Sequence, residues 1–361
     1  MKAKVIAYYL PQYYPFKEND EWWGKGFTEW TNVAKAKPLF PGHYQPKIPS
    51  ELGFYDLRVL ETAEAQAQLA KEAGIYGFCY WHYWFGNGKE LLDMPFKRAV
   101  ETGKPNFPFC LGWANESWYA KLWNKSGSTG KILIEQVYPG EEDNRLHYDT
   151  YKNAFLDKRY IRVDNKPFFL IYNLTKMSSI IEFMQQWNKW AKEDGIADEF
   201  YFVARAKNIE EYEEALKIKE FKAITIAPIE RWSFKTHRFS FIRILCKALR
   251  IIGIPYIRDY REATQDLWED DIEGKENVLP NLVPNWDHSP RSGKRAKIFI
   301  HCTPKNWEGH VKNILEKIKN KKNRIVMLKS WNEWGEGNYM EPDIKYGKQY
   351  IEILGQQLNE E

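Results

Sequence analysis

Short apolar runs recur along the chain, and the stretches between them carry apolar residues at helical spacing. This alternation limits the fold more than any other feature. A strand, a helix and another strand in sequence is the pattern of a parallel sheet covered by helices. The first run is about Lys4–Leu10. The next is Ile75–Tyr83 (IYGFCYWHY), after a helix that Asp56 would cap, that passes through Leu57, Leu60, Ala63, Ala67 and Ala70, and that Gly74 ends. A helix at about Glu90–Glu101 leads to strand three, Phe107–Trp113. Ile132–Val137 reads as a short extra strand, and a helix at about Leu146–Leu156 precedes strand four, Pro167–Tyr172. Helix four, Ser178–Glu193, places Ile181, Met184, Trp187, Trp190 and Ala191 near one face. Strand five is Phe200–Ala204, helix five about Ile209–Ile218, and strand six Ala223–Ala227.

Two runs compete for strand seven, Val278–Trp286 and Ile298–Cys302. The first is preferred because WDHSPR follows it directly, and the second becomes an extra extended piece before the helix Trp307–Ile318. Strand eight is Arg324–Trp331 and the last helix about Tyr346–Leu358. Eight such units predict a single-domain (β/α)8 barrel with enlarged βα loops, spanning 1–361. A doubly wound sheet would place a glycine-rich phosphate loop after strand one, where this chain has PQYYPF.

In a barrel the chemistry comes from the carboxyl ends of the strands. Those ends carry Tyr8, Tyr9 and Gln12; Trp81, His82 and Tyr83; Trp113, Asn115 and Glu116; Tyr172 and Asn173; Arg205; Glu230 and Arg231; Trp286, Asp287 and Arg291. Strand eight runs into SWNEWGEGNYMEPD, where Glu333, Glu336, Glu341 and Asp343 crowd beside Trp331, Trp334 and Tyr339. Carboxyls at the mouth of a buried strand need a partner or a task. Acids among indoles suit glycoside cleavage: one carboxyl to protonate the leaving oxygen, a second as base or nucleophile, and flat apolar faces for a pyranose. Two pairings fit, Glu333 with Glu336 and Glu116 with Glu333. His82 reads either as a partner for a ring hydroxyl or as a satisfied core histidine. Glu29 in GFTEWTNV starts a helix or lies over the site, and Trp30 beside it favours the site.

Composition narrows the rest. Phe, Trp and Tyr make up 16% of the chain, with 16 Trp, and each buried indole needs a home for its N–H. This favours a carbohydrate site. A net charge of +4 over 53 basic and 49 acidic residues, without a basic stripe, gives no support for nucleic-acid binding. The histidines lack metal-ligand spacing, so no metal or cofactor is expected. The start reads as a first strand rather than a signal peptide, and no run reaches the length of a membrane span. FSFIRILCKALRII, within the basic and apolar stretch 232–262, reads as a buried or lid helix rather than a membrane-surface one. Cys79, Cys110, Cys246 and Cys302 are scattered and read as reduced thiols, so a cytoplasmic location is expected.

WNEWGEG followed by EPD resembles the strand-eight signature of glycoside hydrolase family 99, the endo-acting α-mannosidases and α-mannanases. AYYLPQYYP, WWGKGFTEWTNV, PLFPGHYQPKIPSELGFYDLR, YGFCYWHYWF, FCLGWANESW, KPFFLIYN, WDHSPR and SWNEWGEG resemble the related WbsX-like proteins, often described as glycosyltransferases of lipopolysaccharide or O-antigen assembly. The resemblance implies a (β/α)8 barrel and a retaining mechanism without metal. Glu333 would deprotonate a sugar 2-hydroxyl to form a 1,2-anhydro sugar, with Glu336 as acid and then base. It also implies that Asn332, Tyr9, His82 and Tyr172 hold the sugar. Gly335 and Trp331 depart from the mannosidase pattern, which often has histidine and phenylalanine there. The expected partner is an oligosaccharide or polysaccharide. The expected site is Glu333 and Glu336 with Tyr9, Trp30, Trp81, His82, Trp113, Asn115, Glu116, Tyr172, Trp286, Asp287, Arg291 and Asn332.

Overall fold

A computed structural model describes residues 2–120, 130–229 and 255–360. Eight parallel strands form the barrel: β1 Lys4–Tyr9, β2 Gly77–Trp84, β3 Phe109–Trp113, β4 Lys166–Ile171, β5 Tyr201–Ala206, β6 Phe221–Ile226, β7 and β8 Ile325–Leu328. Strand β7 is broken into Val278–Leu279 and Asn281–Leu282. Its first half pairs with β6 and its second with β8, so the break is where the barrel closes. Pro280 sits at the break. It has no N–H to give a ladder, while its carbonyl still accepts from the Met327 N–H at 2.9 Å. The preferred run for strand seven is therefore the barrel strand, though much shorter than predicted. The rival run pairs elsewhere: Lys297–Ile300 lies parallel to Tyr256–Asp259 in a separate two-stranded sheet.

Helices wrap the strands. In chain order α1 is Lys17–Trp23, α2 Glu29–Lys35, α3 Leu60–Glu72, α4 Met94–Thr102, α5 Glu141–Leu156, α6 Ile180–Glu193, α7 Ile209–Lys217, α8 Pro304–Ile318 and α9 Gln349–Glu360. The first loop is not structureless, because α1 and α2 lie within it. Asp56 does not cap α3, which starts at Leu60; its carboxylate instead holds Arg58 at 2.6 Å. On α6 the buried apolar face runs through Ile180, Phe183, Met184, Trp187 and Trp190, while Ile181 is 42% exposed. That face is one residue out of phase with the predicted one at its start.

Much of the aromatic surplus lies between sheet and helices rather than at a sugar site. Trp113, Trp187 and Trp307 are fully buried. Their indole N–H groups donate to the Trp84, Asn144 and Tyr350 carbonyls at 2.8, 3.2 and 3.0 Å. Backbone carbonyls are the homes these indoles need. Among the described residues no helix is long and apolar enough to cross a membrane. The stretch 230–254, with Glu230, Arg231, Cys246 and most of 232–262, lies outside the described residues, as does most of SGSTG.

Candidate active site

Beyond β8 the chain passes Lys329 and turns into a tight hairpin. Asn332–Glu333 pairs antiparallel with Asn338–Tyr339, and a single turn, Trp334–Glu336, joins them. The two acids thus sit on one rigid hairpin, Glu333 at its base and Glu336 on its turn. Trp334 stacks on Tyr339 with ring centres 3.7 Å apart, and its indole donates to Glu341 at 2.6 Å. Glu341 also accepts from Gln66 at 2.6 Å and from Tyr55 at 2.9 Å. Burial pushes the Glu341 carboxyl up to about 7, against the pull of those donors. Trp331 and Trp334 are fully buried. They hold the hairpin and offer no face to a sugar.

The glycines of the motif act differently from one another. Gly337 has φ +52°, the left-handed conformation that ends the turn. Gly335 is needed for space, because a β-carbon there would overlap the Glu29 carboxylate.

One ammonium bridges the acid pair: Lys329 Nζ lies 3.1 Å from Glu333 Oε2 and 3.2 Å from Glu336 Oε2. The Trp81 indole donates to Glu333 Oε1 at 2.9 Å. Arg291 donates to Glu336 Oε1 at 2.6 Å and grips Glu29 with two donors at 2.9 and 3.0 Å. His288 Nε2 stands 3.8 Å from Glu336 Oε1. Glu333 and Glu336 crowd around Lys329, and their environments push the two carboxyls in opposite directions. The 4% exposure of Glu333, and then the neighbouring Glu336 charge, push that carboxyl up to about 7, against the pull of Lys329. Burial acts the same way on Glu336, but Lys329 and Arg291 outweigh it and hold that carboxyl well below the usual range.

Two cavities meet at this pair. The larger, about 410 Å³, is walled by Trp23, Phe27, Trp81, Tyr83, Trp118 and Tyr119, with Glu29, Glu116, Tyr172, Arg291, Lys329, Glu333 and Glu336. The smaller, about 280 Å³, is reached over Trp81, Tyr172, Lys329 and Glu336 and lies against Tyr8, Arg205 and Trp286. Trp81 is central, stacked on Tyr8 at 4.7 Å and edge-on to Tyr172 at 5.6 Å.

Of the expected residues, Glu333, Glu336, Trp81, Glu116, Tyr172 and Arg291 line the larger cavity, and Trp286 the smaller. Glu116 stands 3.6 Å from Lys207 and has no contact with Glu333 among the described ion pairs and hydrogen bonds. The other expected residues lie elsewhere. Alternation along a strand sends Tyr8 and Trp81 inward and their neighbours Tyr9 and His82 outward. Tyr9 donates to Gln66 on α3 at 2.7 Å. His82 pairs with His147 on α5 at 2.6 Å, and burial pushes it down to about 3, so it is a neutral core histidine. Trp113 packs beside His147 and Phe183. Asn115 ties strand ends together, bonding both the N–H and the carbonyl of Asn173 at 2.8 and 2.7 Å. Asn332 does the same with Leu10 at 2.7 and 3.0 Å. Trp30 donates to the Tyr55 carbonyl at 2.8 Å and braces Trp334. Asp287 accepts from Gln45 at 2.6 Å and pairs with His43 at 2.8 Å, beside a third cavity of about 360 Å³ on the far side of the hairpin. Burial opposes its charge, but His43 and Lys47 hold its carboxyl near about 2.

Lys329 was absent from the expected site. Its signal was present in the sequence, as a lysine that ends the apolar run of strand eight four residues before Glu333. Tyr8 shares one face of β1 with Ile6, opposite Tyr9. Trp23 ends α1, Phe27 lies in the loop after it and Trp118 lies in a short strand beyond β3, and no barrel-strand pattern marks them.

The model of the family described as Glycosyltransferase WbsX matches residues 5–354. Two curated relatives from two strains of Xanthomonas campestris pv. campestris, each described as uncharacterized protein WxcX, are 31% identical over 365 residues. The alignment covers 99% of this chain and 50% of each relative, so the chain spans about half the length of the curated relatives it matches. Among solved structures, a glycoside hydrolase-like protein superposes with a TM-score of 0.60 at 12% identity, over 99% of this chain and 94% of that one. The GH99 endo-alpha-mannosidase from Bacteroides thetaiotaomicron superposes with a TM-score of 0.54 at 14% identity, over 99% and 96% of the two chains. These likenesses are of fold, and they place the chain among (β/α)8 barrels. The match along nearly the whole sequence does more: the chain belongs to the WbsX glycosyltransferase family.

Proposed function

We propose that the chain is a retaining, endo-acting glycoside hydrolase of a bacterial polysaccharide or a mannan- or O-antigen-like glycan. The observation that carries this reading is the acid pair: two carboxyls on one hairpin, bridged by Lys329, in an aromatic-walled cavity, one raised and the other lowered by its surroundings. The two cavities share Glu336, and a glycan that runs from one into the other would suit the endo mode. Trp81, Tyr83, Trp118 and Tyr172 supply the apolar faces. The likeness in fold to glycoside hydrolases is consistent with the reading.

In the proposed cycle Glu333 takes the proton of the sugar 2-hydroxyl, and O2 attacks C1. The glycosidic C–O bond breaks as Glu336 protonates the leaving oxygen. Glu336 then takes a proton from water, whose oxygen attacks C1. The C1–O2 bond of the anhydro sugar opens, and Glu333 returns its proton to O2. Burial raises the Glu333 carboxyl while Lys329 and Arg291 hold Glu336 down, so the productive form needs the proton on Glu336, and a 2-hydroxyl donating to Glu333 favours that form by stabilising its carboxylate. An activated leaving group needs no acid. Glu336→Gln should therefore keep first-turnover release of an activated leaving group, with the later attack of water slowed, and Glu333→Gln should lose that release. The reverse result exchanges the two roles.

A second reading, glycosyl transfer, is favoured by the family's description. The same pair would then activate an acceptor hydroxyl in place of water. A screen of mannans, rhamnans and O-antigens for reducing-end release separates the two readings. Hydrolysis predicts release, whereas consumption of a nucleotide sugar with no glycan cleaved overturns it.

A further inference from the structure

The third cavity, beyond the hairpin, shares no lining residue with the two at the acid pair. Its carboxylates are occupied within the protein. Asp287 takes His43 and Gln45 on one oxygen, at 2.8 and 2.6 Å, and the Ser289 N–H on the other at 3.0 Å. Asp343 takes the Tyr339 hydroxyl on one oxygen at 2.6 Å, and the N–H groups of Lys345 and Tyr346 on the other at 2.9 and 2.7 Å. The lysines are not occupied in this way. Lys47 is 8% exposed, and its ammonium lies over the Tyr339 ring at 5.4 Å. That ammonium has three N–H groups to give, yet among the described residues it makes one hydrogen bond, to the Gly337 carbonyl at 3.3 Å, and no ion pair. Lys345 is exposed and crosses the rings of Tyr44 and Tyr346 at 4.6 and 5.0 Å, again with no ion pair among the described residues. Tyr350 is 6% exposed, and its hydroxyl has no partner among the described residues. The two carboxylates and two lysines balance in formal charge. What the cavity has in surplus is hydrogen-bond donors. A buried ammonium short of acceptors is costly, and a ligand that only accepts relieves it.

We infer that the third cavity is a second binding site, for an oxyanion carried on a small molecule or on a glycan unit. The oxygens accept from Lys47, Lys345 and the Tyr350 hydroxyl, and the apolar body of the ligand lies against Phe40, Phe299 and Ile300. A uronate carboxylate and a phosphate share this chemistry. The site stands apart from the acid pair but touches the same hairpin. Lys47 bonds Gly337, and the Asp287 N–H donates to the Glu336 carbonyl at 2.8 Å. It holds whether or not the acid pair cleaves a glycan.

Ligand-observed NMR titration of the full chain with glucuronate, inorganic phosphate and glucose tests this without requiring turnover. At least one anion should bind about tenfold or more tighter than glucose, the scale of one charge-assisted hydrogen bond. Raised salt should weaken it. Lys47→Met, which keeps the apolar stem and loses the donors, should remove most of that preference. Lys345→Gln changes an exposed side chain, so it leaves folding intact and should lower the affinity about threefold, the scale of a surface ion pair. It decides the matter if Lys47→Met fails to fold. Lys329→Gln, at the acid pair, should leave the affinity unchanged. A preference for glucuronate points to an acidic glycan, and one for phosphate to a phosphorylated ligand. Equal binding of glucose and both anions overturns the inference. So does anion binding that Lys345→Gln and Lys47→Met leave unchanged, or that a folded Lys329→Gln protein has lost, which would place the anion at the acid pair instead.

Discussion

Replacing Glu333 by glutamine should make the protein more stable at alkaline pH, although it removes a residue at the centre of the site. Folding lifts this carboxyl from an ordinary value of 4.5 to about 7. The folded state therefore binds the Glu333 proton more tightly than the unfolded state. Stability falls as pH rises through the window from 4.5 to about 7, and the whole penalty applies above it. Over that window the linkage amounts to roughly 3 kcal/mol. Glutamine cannot ionise and pays none of it. The Lys329 ion pair forms only as Glu333 ionises, and its pull is already contained in the value of about 7. Glu336 remains in both proteins. Its depressed value contributes stability above the unfolded value that is lost only as pH falls through the folded one. Urea unfolding of both proteins at about pH 5 and about pH 8 gives four free energies. The variant should gain on the parent by roughly 3 kcal/mol between the lower and the higher pH. A difference that stays flat, or that moves against the variant at alkaline pH, would refute the raised value of the Glu333 carboxyl.

Other perturbations follow from single contacts. Trp81→Phe keeps an aromatic ring over Tyr8 but removes the indole donor from Glu333; turnover should fall about tenfold, the scale of one hydrogen bond to a charged group. The pH–activity limb set by Glu333 should also move upward, because a lost donor disfavours the carboxylate. Gly335→Ala drives a methyl into the Glu29 carboxylate; denaturation should show a cost of about 1–3 kcal/mol, the usual scale for overpacking, and a normal midpoint would mean the Glu29–Arg291 pair yields easily. Tyr9→Phe removes the bond to Gln66 and should cost about 1 kcal/mol of stability with kcat unchanged. A large loss of kcat there would return Tyr9 to the substrate side.

The barrel was legible because its evidence is periodic. Apolar runs such as Val5–Leu10 and Phe168–Ile171 can be buried only as strands covered on both faces, and the helices between them carry their own spacing. The acid pair was legible for a related reason: carboxyls crowded at a strand mouth have few structural explanations. Direction was harder to read. Tyr9 and His82 stand one residue from Tyr8 and Trp81, and strand parity puts them on opposite sides of the barrel wall. Both faces of these strands are buried, so apolarity does not say which face is inward. The indoles misled because Trp331 and Trp334 look like sugar platforms in sequence, whereas a hairpin carrying two charges in a barrel mouth needs a packed support beneath it. Asn115 and Asn332 misled in the same way, because a polar residue at a strand end serves backbone closure as readily as substrate, and Asp287 serves the His43 and Gln45 side chains. The aromatics Trp23, Phe27 and Trp118 follow no period, and only folding brings them to the acids.

The claim that the Glu333–Glu336 pair cleaves a glycan is tested most directly by reducing-end release over time on the glycan a screen identifies. The parent, Glu333→Gln and Glu336→Gln proteins would be compared, each first shown to be folded. The account predicts steady release by the parent and a fall of about a hundredfold or more in each variant, the scale of a lost acid or base. Release that survives in both variants, or a parent that consumes a sugar donor and never shortens a glycan, would contradict it.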